Sequence, residues 1–143
     1  MINKKFIEQL KSEFDAHAGE CRQIISLANA VLHDSKKAIF SLHRDDLAGA
    51  SKTLEEIDLI LKNLEKKFSF HRLVEEGSYK AALEEYVEAK MFWLVMTGEK
   101  IDKIKDLELN YESYLGGLSD LIGELARWSI KMATAGKIKE VKK

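Results

Sequence analysis

The chain has 143 residues, of which 45% are hydrophobic and 33% charged, and this composition suits a single folded domain over residues 1–143. The formal net charge of −1 excludes a strongly basic protein that binds nucleic acid through its overall field. Proline is absent and Cys21 is the sole cysteine, which excludes collagen-like, proline-rich and internally disulfide-bonded classes and favours a reducing, cytoplasmic location.

Helical spacing of apolar residues dominates the first half of the chain, and strand-like alternation is scarce. A stripe that steps by three and four residues predicts one long helix from about Lys4 to His43. Asp46 and its neighbour can cap a second helix that ends near Phe70. A short helical turn is expected from Arg72 to Glu76.

The second half continues the helical pattern. Ser78 is a candidate N-cap for a third long helix, from Tyr79 to about Met96. Residues 99–110 are charged and weakly periodic, which predicts a short helix plus a loop. Asn110 is a candidate N-cap for a fourth long helix, from Tyr111 to Ala135. The sequence therefore predicts an all-α, antiparallel bundle of long helices.

Two acids interrupt an apolar stripe of the third helix. Glu85 and Glu88 are three residues apart, so both carboxylates project to one side of the helix. The opposite side is also apolar, so we expect this helix to be buried on most sides.

The fourth helix carries glycines that weaken it by up to about 1 kcal/mol each. Gly116, Asp120, Gly123 and Arg127 share one face, where small residues would let another backbone approach. Asp120 is therefore expected on a packed face, with Glu124 on its adjacent edge.

Four buried acids must be protonated, paired with Lys or Arg, or bound to a metal ion. Oxygen-only clusters suit Mg²⁺ or Mn²⁺, and such an ion can orient a phosphodiester and generate a hydroxide nucleophile. The alternative interpretation is that two glutamates at this spacing form an ordinary solvated face. Lys36, Lys37 and Arg44 are candidate phosphate contacts or, alternatively, ordinary surface residues.

Three segments of the chain resemble the translin superfamily. Ser35 to Arg44 is similar to the end of the family's first helix, and Glu85 to Ala89 (EYVEA) is similar to its acidic motif. Residues 114–127 (YLGGLSDLIGELAR), followed by 129–136, resemble its second motif. Translin proper has no carboxylate pair at the acidic motif, so the chain is most similar to the catalytic branch, translin-associated factor X (TRAX), which has short single-gene relatives in archaea.

The resemblance implies a translin-like α-superhelical fold and a Mg²⁺-dependent endoribonuclease that cleaves single-stranded RNA, with single-stranded DNA as another ligand. It implies catalytic roles for Glu85, Glu88 and Asp120, which would hold Mg²⁺ or Mn²⁺ together with Glu124. Family members assemble as hollow octamers. Their usual C-terminal helices are expected to be lacking after Gly136, so we expect a homo-oligomer, through the long helices, of unspecified size.

Two alternatives remain open. The first is an all-α nucleoside triphosphate pyrophosphohydrolase, although its usual E-x-x-D motif does not match the four-residue spacing of Asp120 and Glu124. The second is a non-catalytic RNA-binding or scaffold subunit. The longest apolar run, Met91 to Met96, is far shorter than the ~20 residues that span a bilayer, so no membrane association is expected.

Overall fold

The computed structural model describes residues 1–141, and within them every regular element is a helix. The predicted all-α class is therefore confirmed. The helices, in chain order, are α1 (Lys4–His43), α2 (Leu47–Lys67), α3 (Phe70–Val74), α4 (Gly77–Thr97), α5 (Tyr111–Thr134) and α6 (Ile138–Val141).

Helix α1 has the predicted bounds and, at 40 residues, a length of about 60 Å. The Asn3 side chain begins it by accepting a hydrogen bond from the Lys5 N–H at 3.0 Å. It ends just before Asp45, which has a φ of 62°. Only its C-terminal part is buried, from Ile24 to Leu42, whereas every residue up to His17 is exposed.

Helix α4 lies at the centre of the fold, since it packs against α1, α2 and α5. Its buried residues lie around most of its circumference and include Tyr79, Leu83, Tyr86, Glu88 and Phe92. The prediction that this helix is buried on most sides is confirmed. On the side of α4 that faces α1 and α5, Glu88 is buried and Glu85 is half-buried.

The connections differ from the predictions in detail. Helix α2 ends at Lys67, and α3 covers residues 70–74 instead of 72–76. The prediction of Ser78 as an N-cap was wrong, because Glu76 occupies that position and its side chain makes no capping hydrogen bond.

Residues 99–110 contain no helix, contrary to the prediction. Tertiary contacts hold this segment instead: Ile104 is buried, and the backbone N–H of Glu108 donates to Glu65 at 2.9 Å. These contacts and the positive φ of Asp106, 62°, are incompatible with a helix.

Helix α5 begins as predicted. The Asn110 side chain accepts a hydrogen bond from the Ser113 N–H at 2.9 Å, and the helix ends just before Gly136, whose φ is 77°. The sequence did not predict α6, which follows in the lysine-rich tail. None of the helices within residues 1–141 is long and apolar enough to cross a lipid bilayer.

Candidate active site

A small cavity of about 190 Å³ lies where α1, α4 and α5 meet. Its walls combine apolar side chains of α1 with charged side chains from all three helices. The lining residues are Lys36, Ile39, Phe40, Glu85, Glu88, Glu124 and Arg127. The structure therefore brings together three of the four acids and one of the three basic residues that the sequence singled out.

One glycine sets the distance between α4 and α5. A Cβ added at Gly117 would lie 2.7 Å from the Glu84 carbonyl oxygen and 2.7 Å from the Val87 Cβ. Gly117, the buried Leu121 and Glu124 follow one another at four- and three-residue steps, so this stripe of α5 faces α4. The close approach at Gly117 thus brings Glu124 to the acids of α4.

The sequence analysis predicted that Gly116, Asp120 and Gly123 lie on the packed face of α5. This prediction was wrong, because the packed face lies one residue further along, at Gly117, Leu121 and Glu124. A Cβ at Gly116 would touch only the Glu84 side chain, and at Gly123 it would meet nothing within 4 Å. Asp120 lies on that outer stripe and is exposed. Its carboxylate does not line the cavity, yet its charge is near enough to raise the pKa of both Glu85 and Glu88.

Glu124 is held on both carboxylate oxygens. His43, the last residue of α1, contacts one oxygen through Nε2 at 2.5 Å, and Arg127 contacts the other through Nη1 at 3.1 Å. The His43 ring packs edge-on against Phe92 with a centroid distance of 5.1 Å. Lys131 Nζ also donates to the His43 carbonyl oxygen. Glu124 is therefore a fixed, charge-balanced part of the wall.

Glu85 and Glu88, in contrast to Glu124, lack partners for their carboxylates within residues 1–141. Glu88 is 6% exposed, and among the residues that the structure describes neither carboxylate has a hydrogen-bond or ion-pair partner. Burial, followed by the charges of Glu85, Glu124 and Asp120, raises the pKa of Glu88 from 4.5 to about 7. Burial also raises the pKa of Glu85, although Lys36 opposes the shift. The two acids store electrostatic strain that a cation or a proton would relieve.

The donor chemistry of the cavity suits a hard divalent ion, since carboxylate oxygens are the ligands that Mg²⁺ and Mn²⁺ prefer. The carboxylates of the cavity do not converge on a single point, however. Within residues 1–141, no three His, Cys, Asp or Glu side chains form a group arranged to hold a metal ion. Metal ligation by Glu85, Glu88 and Asp120 would therefore require their side chains to change rotamer.

The remaining sequence candidates lie outside the cavity. Lys37 and Arg44 are exposed on α1 and just after it, and neither lines the wall. Sequence reasoning missed His43, because its partner Glu124 is 81 positions away and no local spacing indicates the pair. Arg127 was noted only as a neighbour of Asp120 on α5, and no pattern marked it as a partner of Glu124.

Comparisons with known proteins agree with this architecture. A family model described as the Translin family matches residues 20–143. An uncharacterized protein of Methanocaldococcus jannaschii is 28% identical over 123 residues, which are 85% of this chain and 54% of the relative. The chain thus spans about half the length of that curated relative.

Two solved structures share the fold. The crystal structure of apo-NeC3PO matches with a TM-score of 0.79 and 24% identity, over 95% of this chain and 72% of that one. The structure of an AfC3PO complex with duplex RNA matches with a TM-score of 0.84 and 22% identity, over 95% and 70% of the two chains.

Proposed function

The chain belongs to the translin family, and on that premise we propose that it is an endoribonuclease that uses Mg²⁺ or Mn²⁺ to cleave single-stranded RNA at the cavity between α1, α4 and α5. The observation that carries the proposal is the state of Glu88. This carboxylate is buried, has no partner within residues 1–141, and has a pKa raised to about 7 beside a second unpartnered acid, Glu85. Strain of this kind is costly in a merely structural position, so it supports a functional one.

Each acid receives a role from its surroundings. Glu85, Glu88 and Asp120 would hold the ion. The sequence analysis also expected Glu124 to bind the ion. Because His43 and Arg127 contact both of its carboxylate oxygens, we assign Glu124 a positioning role instead. A divalent ion bound here supplies a Lewis acid for the phosphodiester and lowers the pKa of its bound water.

One of the two glutamates of α4 would also accept the proton of the attacking water. In the metal-free protein the pKa of Glu88 is raised to about 7, so a divalent ion bound beside it would displace its proton and leave the carboxylate charged. Lys36 offsets part of the rise in the pKa of Glu85, so Glu85 is the more anionic of the two acids in the metal-free protein.

The basic residues of the cavity would hold the RNA backbone. Lys36 and Arg127 border the acids, so a phosphate placed at the cavity contacts one cation on α1 and one on α5. Lys37 and Arg44 would continue this contact along the outside of α1. Backbone contacts carry no base information, so we expect cleavage without sequence selectivity. AfC3PO, a solved neighbour that shares this fold, has been determined in complex with duplex RNA.

We also propose that the protein is a homo-oligomer assembled through α1. The exposed N-terminal part of this helix carries an apolar stripe formed by Phe6, Ile7, Leu10 and Phe14, and Phe14 is 72% exposed. Large apolar side chains aligned on one exposed face mark an interaction surface. A second copy of the same stripe is a matching partner, and light scattering that gives the monomer mass would overturn this part.

A non-catalytic RNA-binding or scaffold subunit is the second candidate. The observation that favours it is the lack of a convergent three-ligand group within residues 1–141. In that case the chain would bind RNA through Lys36 and Arg127 but would leave it intact. The pyrophosphohydrolase alternative is favoured by no feature of the cavity.

The decisive test compares Glu88→Gln with wild type in cleavage of single-stranded RNA with Mg²⁺, with Mn²⁺ and with EDTA. We expect metal-dependent cleavage by wild type and a loss of at least about 100-fold in the variant, since general-base catalysis contributes roughly 10²–10⁴. Glu56→Gln on the exposed side of α2 is the matched control and should cleave like wild type. Intact RNA with every metal, together with hydrolysis of nucleoside triphosphates, would refute the proposal, and intact RNA that is bound would support the scaffold.

A further inference from the structure

A second charged region lies on the far side of α4, where residues 98–110 cross over α2 and α4. It encloses a cavity of about 400 Å³ with five lysines and four acids in its walls. The lysines come from three separate parts of the chain: α2, α4 and the crossing segment. They are Lys62, Lys90, Lys100, Lys103 and Lys105.

Two acids of this cavity, Asp58 and Asp102, accept hydrogen bonds from neighbouring groups. Asp58 accepts a hydrogen bond from the hydroxyl of the fully buried Tyr86 and lies 3.8 Å from Lys90 Nζ. Asp102 accepts a hydrogen bond from the Lys103 backbone N–H at 2.7 Å. Among the described residues, Lys90 is the only one of the five lysines in an ion pair. Apart from this pair, four ammonium groups and three carboxylates line the cavity, so its walls have a formal excess of one positive charge, which favours an anionic ligand.

An aromatic cavity of about 460 Å³ adjoins the lysine-lined one, and Lys103 belongs to both. Tyr111 and Tyr114 provide its rings, and Tyr111 is 74% exposed. The Tyr114 hydroxyl donates to the Asp102 carbonyl oxygen at 3.1 Å, which ties the crossing segment to α5. This bond holds the Tyr114 ring beside the backbone of the crossing segment, one residue before Lys103.

We propose that these two cavities form an accessory RNA-binding groove, in which Tyr111 stacks on an unpaired base and Lys103 and its neighbours contact the adjoining phosphates. Bases stack on exposed aromatic rings, while lysines follow a strand's backbone. The choice of RNA rests on the proposed function. The groove contains none of the residues of the acidic cavity. Its lysine-lined part lies on the side of α4 that faces α2, and its aromatic part lies at the start of α5, so it positions a strand without taking part in cleavage.

The test measures binding of a fluorescently labelled single-stranded RNA in EDTA, where no metal-dependent cleavage occurs. The variant Lys100→Gln/Lys103→Gln/Lys105→Gln neutralises three exposed lysines of the crossing segment. We expect a rise in Kd of tenfold or more and a salt slope that falls by about 2, since each phosphate contact contributes about 0.7 to the slope for single strands. The matched control, Lys52→Gln/Lys80→Gln/Lys137→Gln, removes three exposed lysines outside the groove, the acidic cavity and the apolar stripe of α1, and it should change Kd less than twofold.

Tyr111→Ala tests the stacking and Tyr111→Phe is its control. We expect the alanine variant to bind RNA at least fivefold more weakly, because a stacked base contributes about 1–3 kcal/mol, while phenylalanine retains the affinity. Competition by a mononucleotide that Tyr111→Ala abolishes would support a nucleotide-sized site. Equal loss in both triple variants, or an unchanged Kd in Tyr111→Ala, would overturn the groove, as would a changed oligomer mass with unchanged RNA affinity.

The two proposals fail separately. Glu88→Gln should retain RNA binding in EDTA, because Glu88 lies outside the groove. If the acidic cavity does not cleave RNA, the groove can still be tested by RNA binding alone. If the groove does not bind RNA, metal-dependent cleavage of short RNA at the acidic cavity is unaffected.

Discussion

The two sides of α4 treat their polar groups in opposite ways. On the side facing α2, the buried Tyr86 hydroxyl donates to Asp58, and Asp58 lies near Lys90. On the side facing α1 and α5, Glu85 and Glu88 have no such partners among the described residues, although Glu88 is a buried residue with only 6% of its surface exposed. A buried group with its partner in place stabilises the fold, whereas one without a partner costs stability and is retained where a ligand gains from it.

The largest expected effect comes from removing the Glu88 charge. The folded protein raises the pKa of this acid from 4.5 to about 7, so the folded state binds its proton more tightly than the unfolded chain does. The resulting stability is fully present below pH 4.5 and is lost as pH rises toward 7. Glu88→Gln should therefore raise the free energy of unfolding without metal at pH 8, by at most about 3 kcal/mol, and have little effect at pH 4.5.

Thermal melting at both pH values, with and without Mn²⁺, checks this prediction. Mn²⁺ should raise the Tm of wild type at pH 8 and leave the variant unchanged. If Glu88→Gln is less stable than wild type at pH 8, the acid has a partner and the contrast between the two sides of α4 is lost.

The next effect concerns the distance between α4 and α5. Gly117→Ala places a methyl group 2.7 Å from a backbone oxygen and from the Val87 Cβ, neither of which can move freely. Overpacking costs about 1–3 kcal/mol and exceeds the gain of up to about 1 kcal/mol in helix propensity. We expect a net loss of about 1–2 kcal/mol in urea unfolding, together with reduced cleavage as α5 shifts.

Gly123→Ala is the matched control on the same helix. A Cβ at this exposed position meets nothing within 4 Å, so the propensity gain should appear undiminished as up to about 1 kcal/mol of added stability. Two variants of equal sign would contradict the assignment of Gly117 as the contact between the helices.

The bounds of α1 and the start of α5 could be predicted because local signals decide them. An uninterrupted apolar stripe and a capping asparagine require no knowledge of the rest of the chain. The acids on α4 could also be selected, since a charge within an apolar stripe is visible in the sequence. The sequence does not show, however, which side chains of α1 and α5 lie next to Glu85 and Glu88.

The remaining features depend on how the helices cross. Whether Gly116, Gly117 or Gly123 meets α4 is a matter of helix rotation by 100° per residue, and the sequence favoured the wrong stripe. The pairing of His43 with Glu124 and the extended course of residues 99–110 arise from contacts between distant segments. Local propensity contains no information on such contacts.

The smallest expected effect comes from two tyrosines of α4, which are both fully buried and differ in their hydroxyl groups. The Tyr86 hydroxyl donates to Asp58, whereas the Tyr79 hydroxyl has no hydrogen-bond partner among the described residues. Tyr86→Phe removes a hydrogen bond to a carboxylate that is partly open to solvent, so water can replace the lost donor. We expect a loss of about 1 kcal/mol.

Tyr79→Phe should have the opposite sign. Burying an unpaired hydroxyl costs free energy, and phenylalanine has nearly the same shape without that cost, so we expect a gain of up to about 1 kcal/mol. Urea unfolding of both variants at pH 7 measures the two differences under one set of conditions. Equal losses would mean that the Tyr79 hydroxyl is paired after all. Opposite signs would show that this fold distinguishes satisfied from unsatisfied polar groups along a single helix, which is the distinction on which the assignment of Glu85 and Glu88 to a functional site depends.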